Sequence, residues 1–211
     1  MLLGGGRIVE YINNGIPARF GKDGQQIGIE DAITKSDEDE GPVYHFPLIE
    51  NTADPLIVEG AVYDLRLSSS FIHSSEKAQL FVDKRNTGDD FSASKRIIGG
   101  RNCFLFEKGK YYLCKTIESV NLPTNFQGLL FPRTTMFRSG IQILCGTVQP
   151  NYFGPLTFGL KNLSDSDIFI EIGFRCLSIG FEFIDGASIP YNGNWQDGER
   201  TGTNGTFDPA R

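Results

Sequence analysis

The chain reads as an all-β protein, a sandwich or barrel with one short helix at its start. Two observations predict this. From Pro55 onward, apolar residues follow the two-residue period of half-buried strands, as in Tyr63, Leu65 and Leu67 against Val62, Asp64 and Arg66. Turn-forming clusters, such as Asn162-Leu163-Ser164-Asp165-Ser166-Asp167, then cut the chain into many short segments. At 211 residues the chain can bury a full core. A single domain over residues 1–185, followed by a tail at 186–211, accounts for its length.

In chain order, Ile8, Tyr11 and Ile12 share one face of a helix over residues 7–14, and Gly15 ends it. A second short amphipathic piece is predicted over 27–34. The acidic run within 35–41 is a solvated loop, because it lacks the regular oxygen spacing and turn glycine of a calcium loop. The strand around 62–67 puts Asp64 and Arg66 on the face opposite its apolar residues. Residues 71–82 suggest a strand pair, and the polar stretch 83–95 an exposed loop. Residues 103–106 and 111–114 flank Glu107-Lys108-Gly109-Lys110 as a hairpin. Further strands are expected at 128–131, 141–148, 156–160, 168–172 and 176–183. The tail is rich in Gly, Asn and Thr; it reads as a mobile terminus or as a lid over a ligand.

A net charge of −6 argues against a general nucleic-acid binder, which needs a basic face. No apolar run approaches the ~20 residues of a membrane helix, and the start has no basic region ahead of a long apolar one. Cys103, Cys114, Cys145 and Cys176 lie far apart in apolar runs, which suggests buried free thiols in the reducing cytoplasm.

The most distinctive stretch is Pro132-Arg133-Thr134-Thr135-Met136-Phe137-Arg138-Ser139-Gly140, after the apolar run Leu129-Leu130-Phe131. Proline suits the first turn of a helix, either threonine could cap that turn, and Gly140 ends it. With two arginines beside unpaired backbone N–H groups, the stretch is either a phosphate-chain site or a capped turn with two surface arginines. Zinc deaminase chemistry lacks its His-x-Glu and Pro-Cys-x-x-Cys, and neither a P-loop nor G-x-S-x-G occurs. Neither His45 nor His73 stands beside an obvious nucleophile, so both read as surface or satisfied core residues.

Taken together, several motifs resemble the dCTP deaminase branch of the dCTP deaminase/dUTPase superfamily. They are Gly60-Ala61-Val62-Tyr63-Asp64-Leu65-Arg66-Leu67; Thr116-Ile117-Glu118-Ser119-Val120 with Leu122-Pro123; and Arg133-Thr134-Thr135-x-x-Arg138-x-Gly140. Val148-Gln149-Pro150-Asn151-Tyr152-Phe153-Gly154 follows, then Gly173-Phe174-Arg175-Cys176 and the tail Pro190-Tyr191-Asn192. The resemblance implies a distorted β-barrel or jelly roll, a homotrimer, and nucleotide sites between subunits. It implies a pyrimidine nucleoside triphosphate as ligand, with magnesium on the phosphates compatible with that picture and no protein metal ligand. The implied reaction is dCTP plus water to dUTP plus ammonia.

Carried over residue by residue, the resemblance makes Arg133, Thr134, Thr135 and Arg138 phosphate contacts, with Arg133 also positioning the water. Tyr152 would lie near the deoxyribose, and Arg200 would reach the phosphates from the tail. Two positions depart from the pattern. Gln149 stands where the family has the sugar-binding aspartate, and an amide cannot take up a proton at neutral pH. Gly159 stands where the deaminases have the proton-shuttling glutamate, and a glycine there should leave room for a larger base or for water. Glu118, Glu171 or Glu182 would have to stand in. The readings that follow are a deaminase with another proton carrier, a nucleotide-binding sensor or regulator without turnover, and a structural trimer.

Overall fold

The computed structural model describes residues 2–18, 44–74, 76, 78–82, 84–186, 188–189, 191 and 205–206. The acidic run, the amphipathic piece at 27–34 and Arg200 lie outside the described residues.

In chain order the elements are α1 (Gly5–Asn14), β1 (Ile16–Ala18), β2 (Tyr44–Phe46), β3 (Ile49–Glu50), β4 (Val58–Glu59), β5 (Val62–Ser74), β6 (Gln79–Leu80), β7 (Lys84–Asn86), β8 (Asp89–Ser92), β9 (Lys95–Ile98), β10 (Arg101–Phe106), β11 (Tyr111–Asn121) and β12 (Phe126–Pro132). After them come α2 (Thr134–Arg138), β13 (Ile141–Leu144), β14 (Thr147–Val148), β15 (Phe153–Asn162), β16 (Ile168–Glu171), β17 (Arg175–Phe183) and β18 (Gly205–Thr206). The main sheet runs in the order β13-β15-β11-β5-β17-β12-β14, with β3, β4 and β8 added at its sides. Its spine is β5, 13 residues long. The first half of β5 pairs antiparallel with β17 and the second half with β11, so the sheet curls into a half-barrel around one core.

Alternation builds that core. Along β11, Tyr112, Cys114, Thr116, Glu118 and Val120 are buried, while the residues between them are only partly so. They meet Tyr63, Leu65 and Leu67 of β5, Phe158 and Leu160 of β15, and Leu177, Ile179 and Phe181 of β17. Each such apolar side chain contributes about 1.5–3 kcal/mol on burial. Helix α1 closes one end by inserting Ile8 and Ile12. It starts two residues earlier than its periodicity predicts, because Gly5 N donates to Gly60 O and Leu3 N to Phe181 O. Among the described residues no helix is long and apolar enough to cross a membrane.

The all-β reading matches the structure, but several pairings differ. Residues 103–106 and 111–114 do not form a hairpin: the turn at 107–110 closes, yet β10 pairs with β9 and β16 while β11 pairs with β5 and β15. The chain changes sheet there to turn a corner of the barrel. The strand expected over 141–148 breaks at Cys145 and Gly146, with β13 bound to β15 and β14 bound to β12. Phe71 continues β5 instead of opening a new strand, and the polar stretch 83–95 contains β7 and β8. Strand β8 can be polar because it borrows its order from the edge of β5. Three of the four cysteines are buried free thiols, whereas Cys145, at the break, is exposed.

Candidate functional site

Strand β12 ends where Pro132 pairs with Leu177, and Arg133 then caps α2 from an extended backbone. No side chain caps this turn, which corrects the expectation for the threonines: Thr134 and Thr135 lie inside the helix and are exposed. Buried Met136 anchors the turn, and Gly140 ends it at φ 76°, a left-handed conformation that glycine adopts without strain. Arg138 is exposed.

Arg133 Nη1 donates to Asp64 Oδ2. Arg175 Nη1 donates to the same oxygen at 3.2 Å, and Ser178 Oγ donates to Asp64 Oδ1 at 2.7 Å. Asp64 is fully buried. The face of β5 opposite the apolar residues is therefore not solvent but a packed ionic cluster. Burial, then the Arg175 charge, pushes the Arg133 pKa down from the ordinary arginine value, with Glu59 acting in the opposite direction.

A cavity of about 460 Å³ has a lining that includes His73, Thr87, Tyr111, Gln149, Tyr152 and Tyr191, and no residue of α2. The turn after β14 supplies one side. Tyr152 N donates to Gln149 O, Asn151 takes φ 64°, and Tyr152 Oη donates to Pro155 O at 2.7 Å. Gln149 is exposed and its Nε2 donates to Thr147 Oγ1 at 2.9 Å. Tyr191 returns to this turn, its N–H donating to Pro150 O and its ring 5.9 Å from that of Tyr152.

The opposite side comes from His73 of β5, from Thr87 just ahead of β8, and from Tyr111 and Leu113 of β11. The register places Asp90 opposite His73, with His73 Nδ1 and Asp90 Oδ1 2.7 Å apart. The His73 ring meets Tyr111 edge-on, centroids 5.7 Å apart. Tyr111 in turn covers Gly159: a Cβ at 159 would lie 3.0 Å from Tyr111 Cε2 and closer still to its hydroxyl. Burial first, then Cys114 and Asp90, raises the Tyr111 pKa above the phenol value of 10.0, so this hydroxyl stays protonated and able to donate.

Against this geometry, the family profile described as dCTP deaminase-like matches residues 46–184. The chain belongs to the dCTP deaminase-like family. A dCTP deaminase of Buchnera aphidicola subsp. Baizongia pistaciae is 26% identical over 155 residues, 69% of this chain and 80% of that protein. A dUMP-forming dCTP deaminase of Dictyoglomus turgidum is 28% identical over 138 residues, 64% of this chain and 71% of that protein. Among solved structures, the 2'-deoxycytidine 5'-triphosphate deaminase of Agrobacterium tumefaciens superposes with a TM-score of 0.49 at 19% identity, covering 64% of this chain and 44% of that one. The match thus spans less than half of the Agrobacterium chain.

Within this member of the dCTP deaminase-like family, the predicted site residues fall into two groups. Gln149 and Tyr152 line the cavity; Arg133, Thr134, Thr135 and Arg138 do not. Gly159 leaves no open room, because Tyr111 fills it. The three glutamates expected to stand in are engaged elsewhere. Glu118 is fully buried against Arg66, which donates from N at 2.8 Å and from Nε at 2.6 Å. Glu171 pairs with Arg101, and Glu182 accepts from Gln127. Sequence reasoning passed over His73, Thr87, Asp90 and Tyr111. The one local signal for them was the turn Asn86-Thr87-Gly88, where Asn86 Oδ1 accepts from Gly88 N at 2.9 Å.

Proposed function

We propose that this protein binds a pyrimidine deoxynucleoside triphosphate, dCTP first among them, with base and sugar in the cavity beside Gln149 and Tyr152. The observation that carries this is that two residues at the family's sugar-binding positions line one cavity of nucleoside size in a dCTP deaminase-like chain. Tyr152, held by Pro155 and packed on Tyr191, offers a rigid aromatic wall to the deoxyribose. The triphosphate meets Arg138, Arg133, Thr134 and Thr135, with Arg200 closing from the tail. Because neither Arg133 nor the α2 residues line the cavity, in this reading they come from an adjacent copy, and the working unit is a homotrimer. Magnesium arrives with the triphosphate as part of the substrate; among the described residues there is no cluster of three His, Cys, Asp or Glu to hold it.

The family reaction, water replacing the cytosine amino group, needs a proton carrier, and a positioned acid or base contributes about 10²–10⁴ in rate. Neither Gln149 nor Gly159 supplies one. Their replacement, with Tyr111 over Gly159, favours a second reading: a nucleotide-binding protein without turnover. Thermal shift and equilibrium dialysis with dCTP, dUTP, dTTP, CTP and UTP, each with and without magnesium, test the binding. A deoxynucleotide-selective shift is expected, and R138A should weaken dCTP about tenfold, the loss of one charge-assisted contact of about 1.4 kcal/mol. No shift with any nucleotide overturns the proposal.

A further inference from the structure

One wall of the cavity carries titratable chemistry that the family's motifs do not explain. His73 and Asp90 are nearly enclosed, their side chains 9% and 8% exposed, and they share a 2.7 Å contact between Nδ1 and Oδ1. Asp90 Oδ2 and Thr87 Oγ1 are buried with no hydrogen-bond partner among the described residues. A buried polar atom left unsatisfied costs about 1–3 kcal/mol. Thr87 lines the cavity, and Asp90 holds His73, which also lines it, so the unfinished bonding lies in and behind one wall. Asp90 occupies Nδ1, so Nε2 is the imidazole nitrogen left for a molecule in the cavity. The titratable groups facing His73 are Asp90 from β8 and Tyr111 from β11. Tyr111 also fills the space over Gly159, so the imidazole lies one ring away from the position that lacks its glutamate.

We propose that His73, positioned by Asp90, is the proton carrier of this site and lets the chain hydrolyse the amino group of a bound cytosine. The inference rests on the nucleotide reading. As water adds to C4, Nε2 takes one water proton and delivers it to ring N3. It then takes the proton of the new C4 hydroxyl and passes it to the amino nitrogen. The C4–N bond breaks, C4=O forms, and ammonia leaves with His73 returned to its starting state. One water is consumed, and no oxidant or reductant is needed.

The test uses the full chain with dCTP, following ammonia and dUTP by enzymatic assay and chromatography, and dCTP affinity by equilibrium dialysis. The unaltered protein should release ammonia. H73Q should lower kcat about 10²–10⁴-fold with dCTP affinity within threefold. D90N, which leaves the imidazole packed, should lower kcat about 10–100-fold with KM unchanged, as for a residue that only orients a ring. H45Q, at an exposed histidine outside the cavity lining, serves as the control and should match the unaltered protein. Ammonia release that survives both H73Q and D90N overturns the inference. Tight dCTP binding by an unaltered protein that yields no ammonia also overturns it while leaving the nucleotide reading intact. Failure to bind dCTP removes both.

Discussion

The ionic cluster around Asp64 and the polar wall around His73 hang from the same strand, yet they solve opposite problems. At Asp64 both carboxylate oxygens are taken, by Arg133, Arg175 and Ser178, so two cations share one buried carboxylate. Around His73 the pairing stops two atoms short: Asp90 Oδ2 and Thr87 Oγ1 have no partner among the described residues. The first arrangement suits a scaffold that must hold charge at rest. The second leaves bonding capacity unused in and behind the wall of the cavity. Near a site, the unfinished network is the better guide to chemistry than the richer one.

The sharpest way to break this contrast is D64N. Removing the charge that Arg133 and Arg175 share should cost about 1–3 kcal/mol in urea unfolding, less than for a fully buried pair because both arginines keep contact with solvent. A loss below about 1 kcal/mol would show the cluster to be solvated and the comparison misplaced. Next comes G159E. Restoring a glutamate drives it into Tyr111 and should cost about 1–3 kcal/mol from overpacking alone. Y111A in the G159E background should recover part of that loss, and a double-mutant cycle with no coupling would mean that the ring does not fill the space.

The smallest effect is alkaline. Tyr63, Tyr111 and Tyr112 all have pKa values raised above 10.0, chiefly by burial. The unfolded chain therefore loses these protons first as pH rises, so their contribution is complete below the unfolded value near 10.0 and fades above it. Urea midpoints should fall between about pH 9 and about pH 11. A flat profile would place these phenols in water.

The α2 region was legible in the sequence because its information is local: Pro132, two threonines, two arginines and Gly140 lie within nine residues. The strands were legible through alternation, most clearly in β11. What stayed hidden was pairing. His73 and Asp90 are 17 residues apart and meet only through the β5–β8 register, while β8 itself is polar enough to pass for a loop. The false hairpin at 103–114 fails for the same reason. A good turn fixes a reversal of the chain, but closure of the barrel decides which strands then share bonds. The glycine at 159 suggested empty space because Tyr111, which fills it, comes from the neighbouring strand.

Strand β5 ties the two arrangements to one rigid element. Asp64 and His73 sit nine positions apart on it, roughly 30 Å at the usual rise of about 3.3 Å per residue. The strand acts as a ruler that fixes the spacing between the ionic cluster and the His73–Asp90 pair. A change of register anywhere along this strand would therefore disturb both arrangements at once, since each takes its geometry from the same backbone.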